Sequence, residues 1–296
     1  MDGIIVVNKG EGITSHSVVS RVKRLFSASK AGHTGTLDPL ATGVLPVLIG
    51  RGVKASEYML SSDKYYLAEL TLGITTDTED ITGEVLTRHG GAMPSEDEVL
   101  SCIRSFVGNI RQIPPMYSAL KVDGKKLCDL AREGKTVERE PRDITVFSIA
   151  AERISDDRYS LRVHCSKGTY IRTLCADIGR ALGVGGCMSA LMRERASVFS
   201  LEDAHTLSEL EEMSEEERAA LVVPIERVFL DLPPLVLPDF FSRLARSGLE
   251  IYLKKLGVSL GVGERVRLLD KDGVFFALGE VREYPDGAAV KPIKQF

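Results

Sequence analysis

What the 296 residues lack excludes several classes at once. No run of about 18 apolar residues occurs, so no segment is expected to cross a bilayer as a helix. The start, Met1-Asp2-Gly3-Ile4-Ile5-Val6-Val7-Asn8-Lys9, has neither a basic n-region nor a small-residue cleavage site. It reads as a first strand and not as a secretory signal. Five cysteines, at 102, 128, 165, 175 and 187, form an odd set without a Cys-x-x-Cys pair. That pattern supports neither a disulfide framework nor a structural zinc site, and reduced thiols in a cytoplasmic protein are expected. His164 adjoins Cys165, but neighbours on a strand point to opposite faces, so no metal ligand is assigned. Neither a phosphate-cradling P-loop nor a GxGxxG dinucleotide fingerprint is present, so no cofactor is expected. Internal repeats and low-complexity tracts are also missing.

Negative charge is in slight excess, at −4, which on its face disfavours nucleic acid. Its distribution says otherwise. Residues 201–231 hold ten acids and two bases, a net −8, which leaves +4 on the rest of the chain. Residues 21–54 carry Arg21, Lys23, Arg24, Lys30, Arg51 and Lys54 against Asp38 alone. A positive field of this kind suits a phosphate backbone, and an ordinary solvated helix would carry the same charges.

The length suits one large domain plus a small one. Gly3–Asn8 reads as a strand. Ser15 can cap a helix carrying Val18, Val19, Val22, Leu25 and Phe26 at helical spacing. A Gly/Thr/Pro-rich loop over 29–43 precedes a strand at 44–50. Residues 64–72 alternate, with Tyr66, Ala68, Leu70 and Leu72 on one face. Ser95-Glu96-Asp97-Glu98 is a capping box that opens a helix through Phe106. Strands follow at 143–152 and 158–165, and helices at 171–182 and 206–221. Strands outnumber the crossover helices of a parallel sheet. The expected class is therefore α+β on a mixed, largely antiparallel sheet. Leu230-Asp231-Leu232-Pro233-Pro234 marks a boundary between a catalytic domain, 1–231, and a module of short strands, 232–296, patterned like a small β-barrel.

Asp38 is the acid whose surroundings stand out. It follows Gly32-His33-Thr34-Gly35-Thr36-Leu37 and precedes Pro39, which forces an extended or turn backbone. A carboxylate on such a loop is a candidate nucleophile or general base. An isolated Asp-Pro is more often a plain turn.

The run Gly32-His33-Thr34-Gly35-Thr36-Leu37-Asp38-Pro39-Leu40-Ala41-Thr42-Gly43-Val44-Leu45-Pro46 resembles the catalytic motif of the TruB family, the bacterial tRNA pseudouridine-55 synthases. Further blocks fall in family order: Asn8-Lys9, Lys64-Tyr65-Tyr66, Thr76-Asp77-Thr78-Glu79-Asp80, Pro114 to Lys121, and His164-Cys165-Ser166-Lys167-Gly168-Thr169-Tyr170-Ile171-Arg172. The resemblance covers residues 3 to about 200. Over the last segment it is one of position and turn pattern only, implying a PUA-like RNA-binding module.

The resemblance implies a pseudouridine synthase fold that isomerises uridine 55 in the T-loop of tRNA. Asp38 would be the nucleophile. Arg172 would be its ion-pair partner, depressing its pKa and fixing its direction. Tyr66 would pack on the target base, where the resemblance implies that its hydroxyl helps to remove the C5 proton. A tyrosine pKa near 10 makes its hydroxyl a poor base at neutral pH. Tyr170 and Leu191 would line the pocket, Asp80 would be a site-lining acid or, equally, a turn acid within Thr76-Asp77-Thr78-Glu79-Asp80, and Lys9 and Lys64 would contact RNA. His33 would fill the space left by the extruded nucleotide, ahead of an acid–base role. Residues 121–142 match an insertion that grips RNA. Leu191-Met192-Arg193-Glu194-Arg195-Ala196-Ser197-Val198-Phe199 departs from the family's Leu-Arg-Arg-Thr-x-x-Gly-x-Phe by one arginine and the glycine. The partner expected is the T-stem-loop of tRNA, bound by a monomer without guide RNA or membrane. A tRNA-folding helper, a guide-dependent rRNA synthase and a hydrolase with Asp38 as base are the rivals. Asp38, Tyr66 and Arg172 together favour the enzyme over a pure binder, and the short termini favour the stand-alone form.

Overall fold

The structure, a computed structural model, describes residues 1–122 and 124–296. Asp123, one of the acids in the expected RNA-gripping insertion, lies outside the described residues. The larger body is built on one nine-stranded sheet. Its path runs Gly3–Lys9, Thr42–Ile49, Gly186–Ala196, Lys64–Leu72, Arg158–Cys165, Arg142–Arg153, Gly108–Gln112. Two short strands lie off this path: Ala31–His33 pairs with Thr42–Ile49, and Phe199–Ser200 pairs with Gly186–Ala196. The pairings are antiparallel except where Gly186–Ala196 meets Thr42–Ile49, as Met192 opposite Thr42 and Arg193 opposite Gly43. A mixed, largely antiparallel sheet is the class that the alternation implied.

The Gly3–Lys9 strand is a continuous apolar run because both of its faces are covered. Ile5 and Val7 join the main core beside Val18, Val22, Leu174 and Ile178, the last four from the helices Ser15–Leu25 and Ile171–Ala181. Ile4 and Val6 pack on the opposite side against Leu48, Met59 and Phe199. In the Lys64–Leu72 strand Tyr66, Ala68, Leu70 and Leu72 are the buried face, as the period of two requires.

The structure departs from the sequence reading at several joints. Thr14, not Ser15, caps the first helix, accepting from Ser17 N at 3.1 Å. Ser15 instead faces inward, donating to Leu37 O at 2.9 Å and accepting from Leu37 N at 2.8 Å. The helix expected over 206–221 is two helices, Leu207–Glu212 and Glu215–Ala220. Met213 between them is extended, and Ser214 with Glu217 forms a second capping box. Gly186–Ala196, a strand at the centre of the sheet, shows no clean alternation in sequence. Bulges between Met188 and Ala190 and between Arg193 and Arg195 switch its faces.

The C-terminal part has its own sheet, in the order Pro234–Val236, Arg265–Leu269, Phe275–Tyr284, Gly287–Gln295, Ile251–Tyr252. Leu235, Leu237, Val266, Leu268 and Val290 form its core beneath the helix Asp239–Arg246. The sheet is open among the described residues, a half-barrel where a small β-barrel was expected. It docks through Phe229, whose ring lies 5.1 Å from Tyr58 and 5.4 Å from Phe296. No described helix is long and apolar enough to cross a membrane.

Candidate active site

The loop Thr34–Ala41 joins the Ala31–His33 strand to the Thr42–Ile49 strand and carries Asp38 at the rim of a pocket of about 260 Å³. That volume is just under the ~300–1,000 Å³ of sites for drug-sized ligands and suits a small planar group. Asp38 O accepts from Ala41 N at 3.0 Å, closing a turn with Pro39 at its second position. The plain Asp-Pro turn and the presented carboxylate are thus the same structure.

Two contacts hold that turn. Ser15 pins Leu37 on one side. On the other, the Lys9 ammonium, fully buried, donates to Gly10 O at 2.8 Å, Pro39 O at 3.2 Å and Ala41 O at 2.6 Å. Its three protons have three carbonyl partners, so direct RNA contact, expected for Lys9, gives way to bracing the loop. Burial lowers the Lys9 pKa to about 8, against the pull of Asp38. Lys64 is a second brace. Buried at the start of its strand, it donates to Leu60 O at 3.0 Å and Ser62 O at 2.5 Å, with Met59 O at 3.5 Å. Burial and the neighbouring Arg193 lower its pKa to about 8. Gly43 closes the loop at φ +97°, where an added Cβ would stand 2.3 Å from Arg193 O. Only glycine fits there.

Arg172, on the first turn of Ile171–Ala181, enters the pocket from below with its side chain 6% exposed. Its Nε lies 3.0 Å from Asp38 Oδ2 and its Nη2 3.4 Å from Asp38 Oδ1, a two-point clamp. The remaining protons go to Tyr117 O at 2.8 Å and Thr78 O at 3.1 Å, with Asp80 Oδ2 3.6 Å from Nη1. Asp80 is buried, and its Oδ1 accepts from Thr78 Oγ1, Thr82 N and Thr82 Oγ1. It is a second acid on the same guanidinium and not an exposed turn residue. Glu79, at φ +63°, supplies the left-handed kink just before it.

The expected depression of the Asp38 pKa is not what the site produces. Burial pushes the carboxyl up, Arg172 pulls it down, Asp80 pushes it up and Lys9 pulls it down, with burial prevailing. The Asp38 side chain is still 34% exposed, so water limits the rise.

Tyr66 is buried on the pocket wall, opposite Val163 on one neighbouring strand and Arg193 on the other. Burial raises its pKa, and the charge of Arg193 draws it back. Tyr170 and Leu191 also line the pocket. Gln112 holds Tyr170 by both backbone groups, accepting from its N at 2.8 Å and donating to its O at 3.0 Å. His33 flanks the wall formed by Thr34–Asp38. Its Nδ1 accepts from Gly35 N at 3.2 Å, which places the ring proton on Nε2. Burial, Arg193 and His16 lower its pKa, favouring the uncharged ring. His164 and Cys165 do fall on opposite faces: His164 stacks 4.0 Å from Tyr65, and burial pushes the Cys165 thiol up to about 12.

Of the sequence candidates, Asp38, Lys64, Tyr66, Tyr170, Arg172 and Leu191 line one pocket. Asp80 lies outside its lining and reaches it through Arg172, Lys9 sits behind the Asp38 loop, and His33 adjoins the wall at Thr34. Arg193 was overlooked. It is a pocket residue only 1% exposed, and an arginine inside Leu191-Met192-Arg193 on an otherwise apolar approach was the available signal. Lys121, Lys125, Lys126, Arg132 and Lys135 are exposed.

Comparison with known proteins identifies relatives over most of the chain. Residues 23–171 match the family profile described as TruB family pseudouridylate synthase (N terminal domain), and residues 172–230 that of the tRNA pseudouridylate synthase B C-terminal domain. The chain is similar to the tRNA pseudouridine synthase B of Clostridium perfringens strain 13, 42% identical over 282 residues and 95% of each protein. That of Alkaliphilus oremlandii is 43% identical, covering 94% of this chain and 93% of its own. Among solved structures, an H/ACA RNP bound to a substrate RNA containing 2'-deoxyuridine aligns with TM-score 0.71 at 26% identity, over 99% of this chain and 84% of that one. A Cbf5-Nop10-Gar1 complex aligns with TM-score 0.70 at 28% identity, with the same coverage. An arginine-clamped aspartate in a base-sized pocket and a profile match across half the chain converge: the chain belongs to the TruB family of pseudouridylate synthases.

Proposed function

We propose that this protein converts uridine 55 in the T-loop of tRNA to pseudouridine, alone and without a cofactor or guide RNA, using Asp38 as its nucleophile. The observation that carries the proposal is the buried Arg172, whose Nε and Nη2 both face the Asp38 carboxylate at the pocket. The reaction breaks the N1–C1' bond of uridine and joins C5 to C1'. Attack on the uracil ring and a route that first removes a ribose proton both use the ionised carboxylate. Tyr66 and Leu191 would pack the ring, and Tyr170 would close the pocket. A base inside a folded loop must be extruded first, at a cost of roughly a few kcal/mol. His33, flat, neutral and at the pocket edge, is suited to fill the vacated space.

The relatives at 42% and 43% identity are each named tRNA pseudouridine synthase B, which favours tRNA as substrate. The RNA would be held as a shape and a phosphate path. Residues 1–231 would form the catalytic domain, with the exposed lysines of 121–142 on the arm, and 232–296 a PUA-like RNA-binding module. The test is tritium release from uracil-C5-labelled tRNA, and from an isolated T-arm without guide RNA. Wild type is expected to release tritium from both and Asp38→Asn from neither. No release by folded wild type would refute the enzyme reading. Full activity in Asp38→Asn would refute the nucleophile. Release that needs an added guide would transfer the chain to the guide-dependent class of synthase.

A further inference from the structure

Among the described residues Ser27, Glu79 and Ser197 hold a left-handed backbone without being glycine, and of these Glu79 adjoins the Arg172 clamp. At φ +63° any side chain costs energy that glycine would not. A glutamate there calls for a contact made by the side chain. That contact is present: Glu79 Oε2 accepts from Thr173 Oγ1 at 2.5 Å. The two partners bracket the clamp. Thr78 and Asp80, on either side of Glu79, give Arg172 a carbonyl at 3.1 Å and a carboxylate at 3.6 Å. Thr173, 2% exposed, directly follows Arg172 on the helix Ile171–Ala181. The turn that carries Glu79 is docked on the central Gly186–Ala196 strand, Glu79 O accepting from Met188 N at 3.1 Å and Ile81 N donating to Met188 O at 2.9 Å. The helix lacks an anchor of its own. Its N-cap, Tyr170, makes no side-chain capping bond, and its first turn holds no acid. A carboxylate beside the first turn complements the positive end of a helix, and Glu79 brings one from 94 positions away. Burial raises the Glu79 pKa, with Thr173 and Arg172 drawing it back, so water does not compete freely for the link.

We propose that Glu79 is a positioning residue for the isomerisation: its carboxylate, seated on Thr173, sets the start of the Arg172 helix against the Thr76–Asp80 turn, so that one guanidinium reaches Asp38, Asp80 and the Thr78 carbonyl together. Glu79 does not line the pocket and acts through Arg172. The clamp leaves little room for error. Arg172 Nη2 stands 3.4 Å from Asp38 Oδ1, near the limit of a hydrogen bond, so a small shift of the helix start breaks that contact first. A misplacement of about 1 Å can cost about 100-fold in rate. The inference rests on the reading of Asp38 as nucleophile and Arg172 as its clamp.

The test measures kcat and KM for tritium release from a T-arm by wild type and by variants of both partners, with circular dichroism as the check of fold. Glu79→Gly suits the left-handed backbone and removes the carboxyl. It is expected to lower kcat by roughly 30-fold, with KM little changed. Thr173→Val, of nearly the same shape, is expected to do the same, and the double variant to be no slower than either alone. Glu79→Gln and Thr173→Ser keep an acceptor and a hydroxyl in place and are expected to stay within about threefold of wild type. Wild-type kcat in folded Glu79→Gly would overturn the proposal and leave the link as a purely structural one. Losses that multiply in the double variant, or that fall on KM alone, would overturn it too. If Glu79→Gly does not fold, Glu79→Asn decides on the same outcomes, since asparagine tolerates that backbone and is one carbon too short for Thr173. An inactive wild type would refute the uridine reading and the inference with it. An active wild type beside an unaffected Glu79→Gly would refute the positioning role alone.

Discussion

Replacing Arg172 by alanine removes the group that touches both Asp38 and Asp80. Asp38, 34% exposed, can recover water once the guanidinium is gone, so its share of the lost stability is small. Asp80 cannot: its side chain is 7% exposed, and the same change leaves Thr78 O and Tyr117 O without their charged donor. Breaking a buried pair by removing one partner typically costs about 3–5 kcal/mol, because a charge is stranded. Denaturant unfolding of Arg172→Ala is expected to show a loss in that range. Adding Asp80→Asn should recover part of it by removing the stranded charge. Turnover should fall further than stability accounts for, roughly 100-fold or more at saturating RNA, since the carboxylate is no longer aimed. The acid limb of the pH–rate profile should move to higher pH. Arg172 is the largest influence lowering the Asp38 pKa, and burial then acts nearly unopposed. T-arm affinity by filter binding should change little. A variant that loses only affinity, or keeps its acid limb in place, would refute the clamp as the source of reactivity.

Three further outcomes follow from the same geometry. The folded-state pKa of Asp38 lies above its ordinary value, so its contribution to stability is most favourable below the ordinary carboxylate range and declines as pH rises through the folded value. Asp38→Asn should therefore melt no lower than wild type at neutral pH while being inactive, and a clear fall in melting temperature would contradict the raised pKa. Lys9→Met should cut turnover by roughly 100-fold with T-arm affinity retained, because the ammonium holds Pro39 and Ala41 and not RNA; a loss of affinity alone would restore the RNA contact. Lys125→Glu with Lys126→Glu, both exposed, should weaken T-arm binding and flatten its dependence on log salt by about one unit per lost phosphate contact, with an unchanged slope counting against the arm.

Local signals proved readable because they act over one turn or one strand. Ser95 and Glu98 form the capping box that their spacing implies, and the alternation of 64–72 sorts Tyr66 to the buried face. What failed depended on partners far along the chain. Ser15 has the composition of a cap, yet Leu37, 22 residues away, takes its hydroxyl. Lys9 looks like a surface base until the carbonyls 30 and 32 residues on surround its ammonium. Asp80 in Thr-Asp-Thr-Glu-Asp looked equally well like a turn acid. It is buried against Arg172, which comes from a helix 92 positions later in number and adjoins it only in the fold. The strand carrying Leu191 and Arg193 escaped pattern reading because its two bulges break the period of two. Arg193 escaped with it.

The direction of the Asp38 shift bears on how such a carboxylate reacts. A surface Asp–Arg pair would hold the carboxylate strongly acidic, well hydrated and a weak nucleophile. Here burial strips part of that hydration and raises the proton affinity, while Arg172 opposes protonation and, on the proposed reading of Asp38 as nucleophile, would fix the direction of attack. Reactivity and ionisation pull against each other in a single group, and the site balances them with a cation that is itself shared. Because Asp80 and the carbonyls of Thr78 and Tyr117 occupy the other edges of Arg172, the guanidinium cannot move wholly onto Asp38 and quench it. Asp80→Asn should on this account tighten the Arg172–Asp38 pair, lower the Asp38 pKa and move the acid limb of the pH–rate profile to lower pH. It should also slow turnover on the plateau, where Asp38 is fully ionised in both proteins. An Asp80→Asn enzyme with a faster plateau would mean that Asp80 only burdens the site, and the balance described here would be wrong.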